Sequence, residues 1–335
     1  MKKLGIAVIL ASVIFASASG AAEPVKLKLS TVVPPKGIAV AGILKPWAEM
    51  VNKESQGTVD IEVYAGGVLG RDINMYLKQI DSGVFDIGFF YPTYMGERFS
   101  DLEFVYLPFM GETFIEAALG VQRMFDKGLI RGFEGYEVIG CFGTSPFYFN
   151  SIFPAKEPQD LKGHKCRSVS KVQADVVSLL GMTPVSVSVA KVAESLSRRL
   201  IEASIESPSS HKMFGGYKVC KHHLIVPFGS FALALVMNKQ KYDNLPPKAK
   251  AAIDKYKGEW FARFWAEKST PLEDGYLEEW KKDPERTVVT PTGADRDTWK
   301  AAMQPAIDAW KKENPRNEQL LKAYEEELSR IRSSR

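Results

Sequence analysis

The feature that most constrains this chain is a rhythm that occurs twice. VKLKLSTVV, from Val25, alternates apolar and polar residues as a half-buried strand does, and Pro34, Pro35 and Gly37 end it. Ile43, Leu44, Trp47, Met50 and Val51 then recur at helical spacing until Ser55, Gln56 and Gly57. TVDIEVYAGG predicts a second strand, Asp72 to Ser82 a helix, and VFDIGFFY a buried strand ending at Tyr91. Strand, helix, strand, helix, strand is the order of a parallel α/β sheet.

The same order returns near Asp160. KCRSVS reads as a strand, Val172 to Leu180 as a helix, TPVSVS as a strand, Ala190 to Leu200 as a helix and IEASIES as a strand. Between the copies, EVIGCFGTSPFYFN and later FALALVMNKQ are strand-like and long enough to cross from one half to the other. After Pro246 and Pro247 the chain turns to Lys, Glu, Ala, Trp and Tyr at helical spacing. Lys248 to Glu279 reads as one long helix, and DPERTVVTPTGADRD separates it from a final helical pair. The expected architecture is a two-lobed α/β fold with hinge strands, a long helix spanning both lobes and C-terminal helices. Residues 23–148 with 233–275 would form the first lobe, and 149–232 with 276–335 the second. In open α/β sheets a ligand belongs beyond the carboxyl ends of the strands, which here border the cleft.

The N-terminus has its own grammar. Lys2 and Lys3 precede an apolar run from Leu4 to about Phe15, followed by small residues. This predicts a secretory signal peptide over 1–22, cleaved near Ala22, and export to the periplasm. The run is too short for a membrane span, which takes roughly 20 residues. The formal net charge is +4, and Lys2 and Lys3 are part of it, so no nucleic-acid partner is expected. Three cysteines, Cys141, Cys166 and Cys220, leave at least one thiol unpaired. A Cys166–Cys220 bridge is one reading, and buried thiols acting as small hydrophobes is the favoured one.

Enzyme signatures are missing. No dinucleotide or phosphate loop, no G-x-S-x-G and no H-E-x-x-H occurs. The glycines of GGVLGRD fit a strand-to-helix turn better than an anion cradle. His222 and His223 are adjacent, so their side chains diverge, and no second ligand pair stands at metal spacing. No cofactor, metal or catalytic residue is expected.

The stretch from Pro154 to Leu196, PAKEPQDLKGHKCRSVSKVQADVVSLLGMTPVSVSVAKVAESL, resembles the substrate-binding subunits of tripartite ATP-independent periplasmic (TRAP) transporters of the dicarboxylate-binding type. Asp160, Leu161, Lys162, Gly163, Lys165 and Arg167 match the first motif of that family, and Gly181 and Pro184 the second. Weaker agreement runs through GGVLG, DSGVFDIG, LPF and YDNLPP. The resemblance implies a binding protein that passes a small organic acid to membrane permease subunits. It also implies that Arg167 pairs with the ligand carboxylate, a role suited to a planar guanidinium with parallel donors. The other reading of Arg167 is a surface salt bridge. Many relatives carry a second arginine where this chain has Pro146 or Phe147, so a single carboxylate anchor is expected. Glu206 stands near the position of a family Asn. It reads either as an acid facing the cleft, able to accept hydrogen bonds, or as a solvated strand end.

Aromatic residues crowd the same segments. With Arg167, Glu206 and Ser207, the expected ligand-binding set includes Tyr91, Tyr94, Phe147 and Tyr148, and further along Phe214 and Phe231, with Pro35 from the first loop. Phe89 or Phe90 is assigned to the core. One anchor and aromatic walls predict a monocarboxylate with an apolar or aromatic body, with a keto or hydroxy acid as second choice. A monomer is expected. The rival readings are a sensory binding module and a periplasmic α/β enzyme.

Overall fold

The structure is a computed structural model that describes residues 23–334. The predicted signal peptide lies outside the described residues. Among the described residues eleven strands form two sheets: β1 (Val25–Ser30), β2 (Val59–Tyr64), β3 (Ile87–Phe90), β4 (Tyr136–Gly143), β5 (Tyr148–Ser151), β6 (Lys165–Ser168), β7 (Thr183–Ser186), β8 (Ala203–Glu206), β9 (His222–Leu224), β10 (Ala232–Asn238) and β11 (Thr287–Val289). The first sheet runs β2-β1-β3-β10-β4 and the second β11-β9-β5-β8-β6-β7, so the molecule is a two-lobed α/β fold.

The alternation in β1 is expressed in its burial: Leu27 and Leu29 face the core while Lys26 and Lys28 face solvent. β1 pairs in parallel with β2 and β3, as the strand-helix rhythm requires. β10 lies antiparallel between β3 and β4, and its apolar run Ala232–Met237 is buried on both faces. In the second sheet β6 is parallel to β7 and β8, while β5 runs antiparallel to β8 and β9.

One expectation holds at the crossing and one changes. EVIGCFGTSPFYFN is two strands, β4 in one sheet and β5 in the other, with the chain passing between lobes at Thr144–Phe147. FALALVMNKQ does not cross, because β10 stays in the first sheet and the return passage is the preceding segment, residues 225–231. The two passages bond to each other. Thr144 N–H donates to Phe231 O at 2.8 Å, Phe147 N–H to Gly229 O at 2.8 Å and Phe228 N–H to Phe147 O at 2.9 Å. Gly229 has φ +84°, and an added Cβ would meet the Tyr106 backbone at 2.5 Å, so only glycine fits there.

The long helix is also corrected. The segment is two helices, Pro247–Lys255 and Glu259–Lys282, separated at Gly258, whose φ of +64° leaves the helical region. The second spans the lobes. Near its start Trp265 stacks on Phe89 of the first sheet, and near its end Trp280 stacks on His223 of the second. Periodicity missed the helix Phe114–Asp126, capped by Thr113, and the short strands β9 and β11. The C-terminal pair, Gly293–Glu313 and Pro315–Ser333, packs back across the molecule: Tyr324 meets Phe104 at 4.5 Å, and Trp299 Nε1–H donates to Lys156 O at 3.2 Å.

Candidate ligand-binding site

A cavity of about 430 Å³ opens between the sheets, bordered by the ends of β3, β6 and β8, the two crossing passages and the spanning helix. Its polar end is built by β6 and β8. Arg167 lies on β6, where alternation turns it away from buried Cys166, and Glu206 is the last residue of β8. Directly after it, Ser207 caps the helix Pro208–Met213 by accepting from Ser210 N–H at 3.2 Å, and Pro208 sits in its first turn. That tight strand-to-helix turn brings His211 back over Glu206.

The three side chains form a buried chain. Arg167 Nη1 donates to Glu206 Oε1 at 2.9 Å, and Arg167 Nε donates to Val187 O at 2.8 Å. Glu206 Oε2 lies 3.2 Å from His211 Nδ1. Exposures of 3%, 1% and 0% for Arg167, Glu206 and His211 exclude both surface readings: Arg167 is paired, but inside, and Glu206 is not a solvated strand end. A guanidinium has five N–H groups, and Val187 and Glu206 engage one each, so donors remain at the cavity wall. Tyr94 stands beside them. Burial raises its hydroxyl pKa and the neighbouring Arg167 pulls it back.

The wall opposite is aromatic. Phe231 is its centre, with ring centroids 5.7 Å from Tyr91, 5.5 Å from Tyr94, 5.8 Å from Tyr106 and 6.2 Å from Phe147. Of the residues predicted from sequence, Arg167, Glu206, Ser207, Tyr91, Tyr94, Phe147, Phe214 and Phe231 line the cavity together. Tyr148 and Pro35 do not. Tyr148 follows Phe147 into β5, where alternation reverses its side. Pro34 occupies the wall in place of Pro35. Of the pair Phe89 and Phe90, Phe90 is core, packed on Phe99 and Phe133, whereas Phe89 also reaches the cavity.

Sequence reasoning missed Glu273 and Trp265, both on the spanning helix. Glu273 accepts from Ser209 N–H at 2.9 Å and from Ser209 Oγ at 2.5 Å. Burial raises its pKa against the pull of these bonds. The available signal was Pro271 inside a helical pattern, which marks a place where the helix departs from a plain solvent-facing tail. All three cysteines are buried free thiols. His223, half of the adjacent pair, is held by Asn150 at 2.8 Å and by Trp280, with burial and the neighbouring His211 and Arg286 lowering its pKa to about 2.

Two α/β lobes, two crossing passages and a deep cleft with, among the described residues, one cationic side chain define a solute-binding protein. The family model for bacterial extracellular solute-binding protein, family 7, matches residues 29–313, and the chain belongs to that family. The C4-dicarboxylate-binding periplasmic protein DctP of Rhodobacter capsulatus is 26% identical over 241 residues, 70% of this chain and 71% of its own. The outer membrane transporter protein TsaT of Comamonas testosteroni is 24% identical over 248 residues, 71% of each chain. A marine metagenome TRAP solute binding protein specific for aromatic acid ligands, in complex with 3-hydroxybenzoate, matches with a TM-score of 0.84 at 25% identity, covering 92% of this chain and 99% of that one. The chain is thus a TRAP-type solute-binding protein and not an enzyme. No helix among the described residues is long and apolar enough to cross a membrane.

Proposed function

We propose that this protein captures a monocarboxylate with an aromatic body, holds its carboxylate on Arg167, and delivers it as a monomer to the membrane permease. The observation that carries this reading is the composition of the cavity wall: among the described residues it has one cation, Arg167, surrounded by rings. A dicarboxylate would leave its second charge against Phe231, Tyr91 and Phe147, where desolvation of an unpaired carboxylate is prohibitive. The marine metagenome protein's 3-hydroxybenzoate supports the same ligand class. The lobes, residues 23–148 with 233–275 and 149–232 with 276–335, close over the ligand about Thr144–Phe147 and residues 225–231. Residues 1–22 act as an export signal and are removed, which leaves the mature protein in the periplasm.

A thermal-shift panel of organic acids tests this, with Arg167→Ala alongside. A ligand at a hundred times its Kd stabilises by about 2.7 kcal/mol, a clear rise in Tm. Aromatic monocarboxylates should shift the protein and succinate should not. The shift should vanish in Arg167→Ala; a shift that survives there moves the anchor elsewhere.

A further inference from the structure

The polar end of the cavity poses a problem of charge. Arg167 already has a buried carboxylate partner, Glu206, at 2.9 Å. An incoming ligand carboxylate would share that one guanidinium with Glu206, and two carboxylates at one buried site do not both stay ionised without further compensation. Arg167 is the sole cation lining the cavity among the described residues.

The groups packed around the pair narrow where compensation comes from. On β6, burial raises the Cys166 thiol pKa, and before β9 it does the same for Cys220, so both stay neutral. Tyr94 and Tyr106 face Arg167 with pKa values also raised by burial. From β9, His223 is neutral and bonded to Asn150 and Arg286, and Arg286 is paired with Asp283 at 2.8 Å. Trp280 of the spanning helix covers His211 edge-on at 5.8 Å, with Tyr217 behind it, and Lys212 is turned outward to Glu279. Glu273, the other carboxyl at the cavity, is bonded to Ser209. His211 is what remains. Its Nδ1 meets Glu206, and its Nε2 is buried without a hydrogen-bond partner among the described residues.

We propose that a ligand carboxylate enters this site together with one proton from solvent, held by the Glu206–His211 pair and released with the ligand. Occupied, the pair holds one proton more than when empty, and that proton offsets the charge the ligand anion brings to a guanidinium already shared with Glu206. His211 is a positioning residue that acts through Glu206, and it makes the site select acids whose capture is favoured by low pH. The inference rests on the proposed carboxylate anchor at Arg167.

Titration calorimetry of the mature protein in buffers of different ionisation enthalpy counts the protons. The probes are 3-hydroxybenzoate and its neutral analogue 3-hydroxybenzamide, at several values between pH 6 and 8. The acid should bind with uptake of about one proton, weakening about tenfold per pH unit where the pair is unprotonated beforehand. The amide should show no uptake. Glu206→Gln should bind the acid with no proton uptake and more tightly than the wild type at pH 8. His211→Gln, which keeps a donor toward Glu206, should lose the uptake and the pH slope. Binding of the acid with zero uptake and a flat pH profile overturns the inference and leaves the anchor standing. Failure of both this acid and the wider aromatic panel to bind overturns the proposed function and the inference with it.

Discussion

The two ends of the cavity are built on opposite principles. At the polar end each partner is specified: Arg167 holds Glu206 and Val187, Glu206 holds His211, and His223 holds Asn150. At the aromatic end Phe231 touches four rings at 5.5–6.2 Å, and no single contact is required. Directional bonds in a low-dielectric site behave as a unit, since deleting one member leaves another charge unpaired. Ring contacts contribute about 0.5–1.5 kcal/mol per pair and rearrange. On the proposed reading the polar end decides whether an acid binds, and the wall decides which acid.

The largest expected effect breaks the polar unit. Glu206→Ala leaves Arg167 buried and uncompensated and should destabilise the protein by about 3–5 kcal/mol. Arg167→Ala should do similar harm, and the double variant should be less damaged than the sum; chemical denaturation of all three gives the coupling. Additive losses would mean the polar end is no more cooperative than the wall.

Acid comes next. His223 has a folded-state pKa of about 2 against its ordinary 6.5, so the unfolded chain takes up a proton that the folded chain refuses. Its contribution is fully present above pH 6.5 and is lost as pH falls toward 2, at up to about 1.4 kcal/mol per unit. Denaturation midpoints between pH 7 and 4.5 should show this slope, and His223→Gln should reduce it.

Substitutions in the wall should be milder. Phe231→Leu should weaken an aromatic acid by roughly tenfold, in keeping with the loss of one or two ring pairs. An aliphatic acid of the same length should be unaffected or gain, and calorimetry of the two ligands measures the ratio. The smallest change is Tyr91→Phe, which keeps the ring at its place beside Phe231. Affinity should move by less than about threefold, since the ring contacts of the wall persist. A loss as large as that of Arg167→Ala would turn Tyr91 into part of the polar end.

Local pattern carried the strands and helices that alternate along the chain, because period-two and period-3.6 burial is written in consecutive residues. It carried Arg167 through a linear motif, and Tyr91, Tyr94, Phe147 and Phe231 through their crowding at strand ends. Tyr148 and Pro35 went wrong by one residue each, the least error that reverses a side chain. Lys248 to Glu279 read as one helix because Gly258 is tolerated inside a helical pattern, and only the fold gives it a φ of +64°.

What the sequence determined by itself is the class: two α/β lobes with a guanidinium in a ring-rich cleft. What only the tertiary structure decided is the burial and pairing around that guanidinium. Glu206 and Arg167 are 39 residues apart, and Glu273 lies on a helix from another part of the chain. Burial and pairing are properties of the assembled space, so no reading of neighbours along the chain contains them.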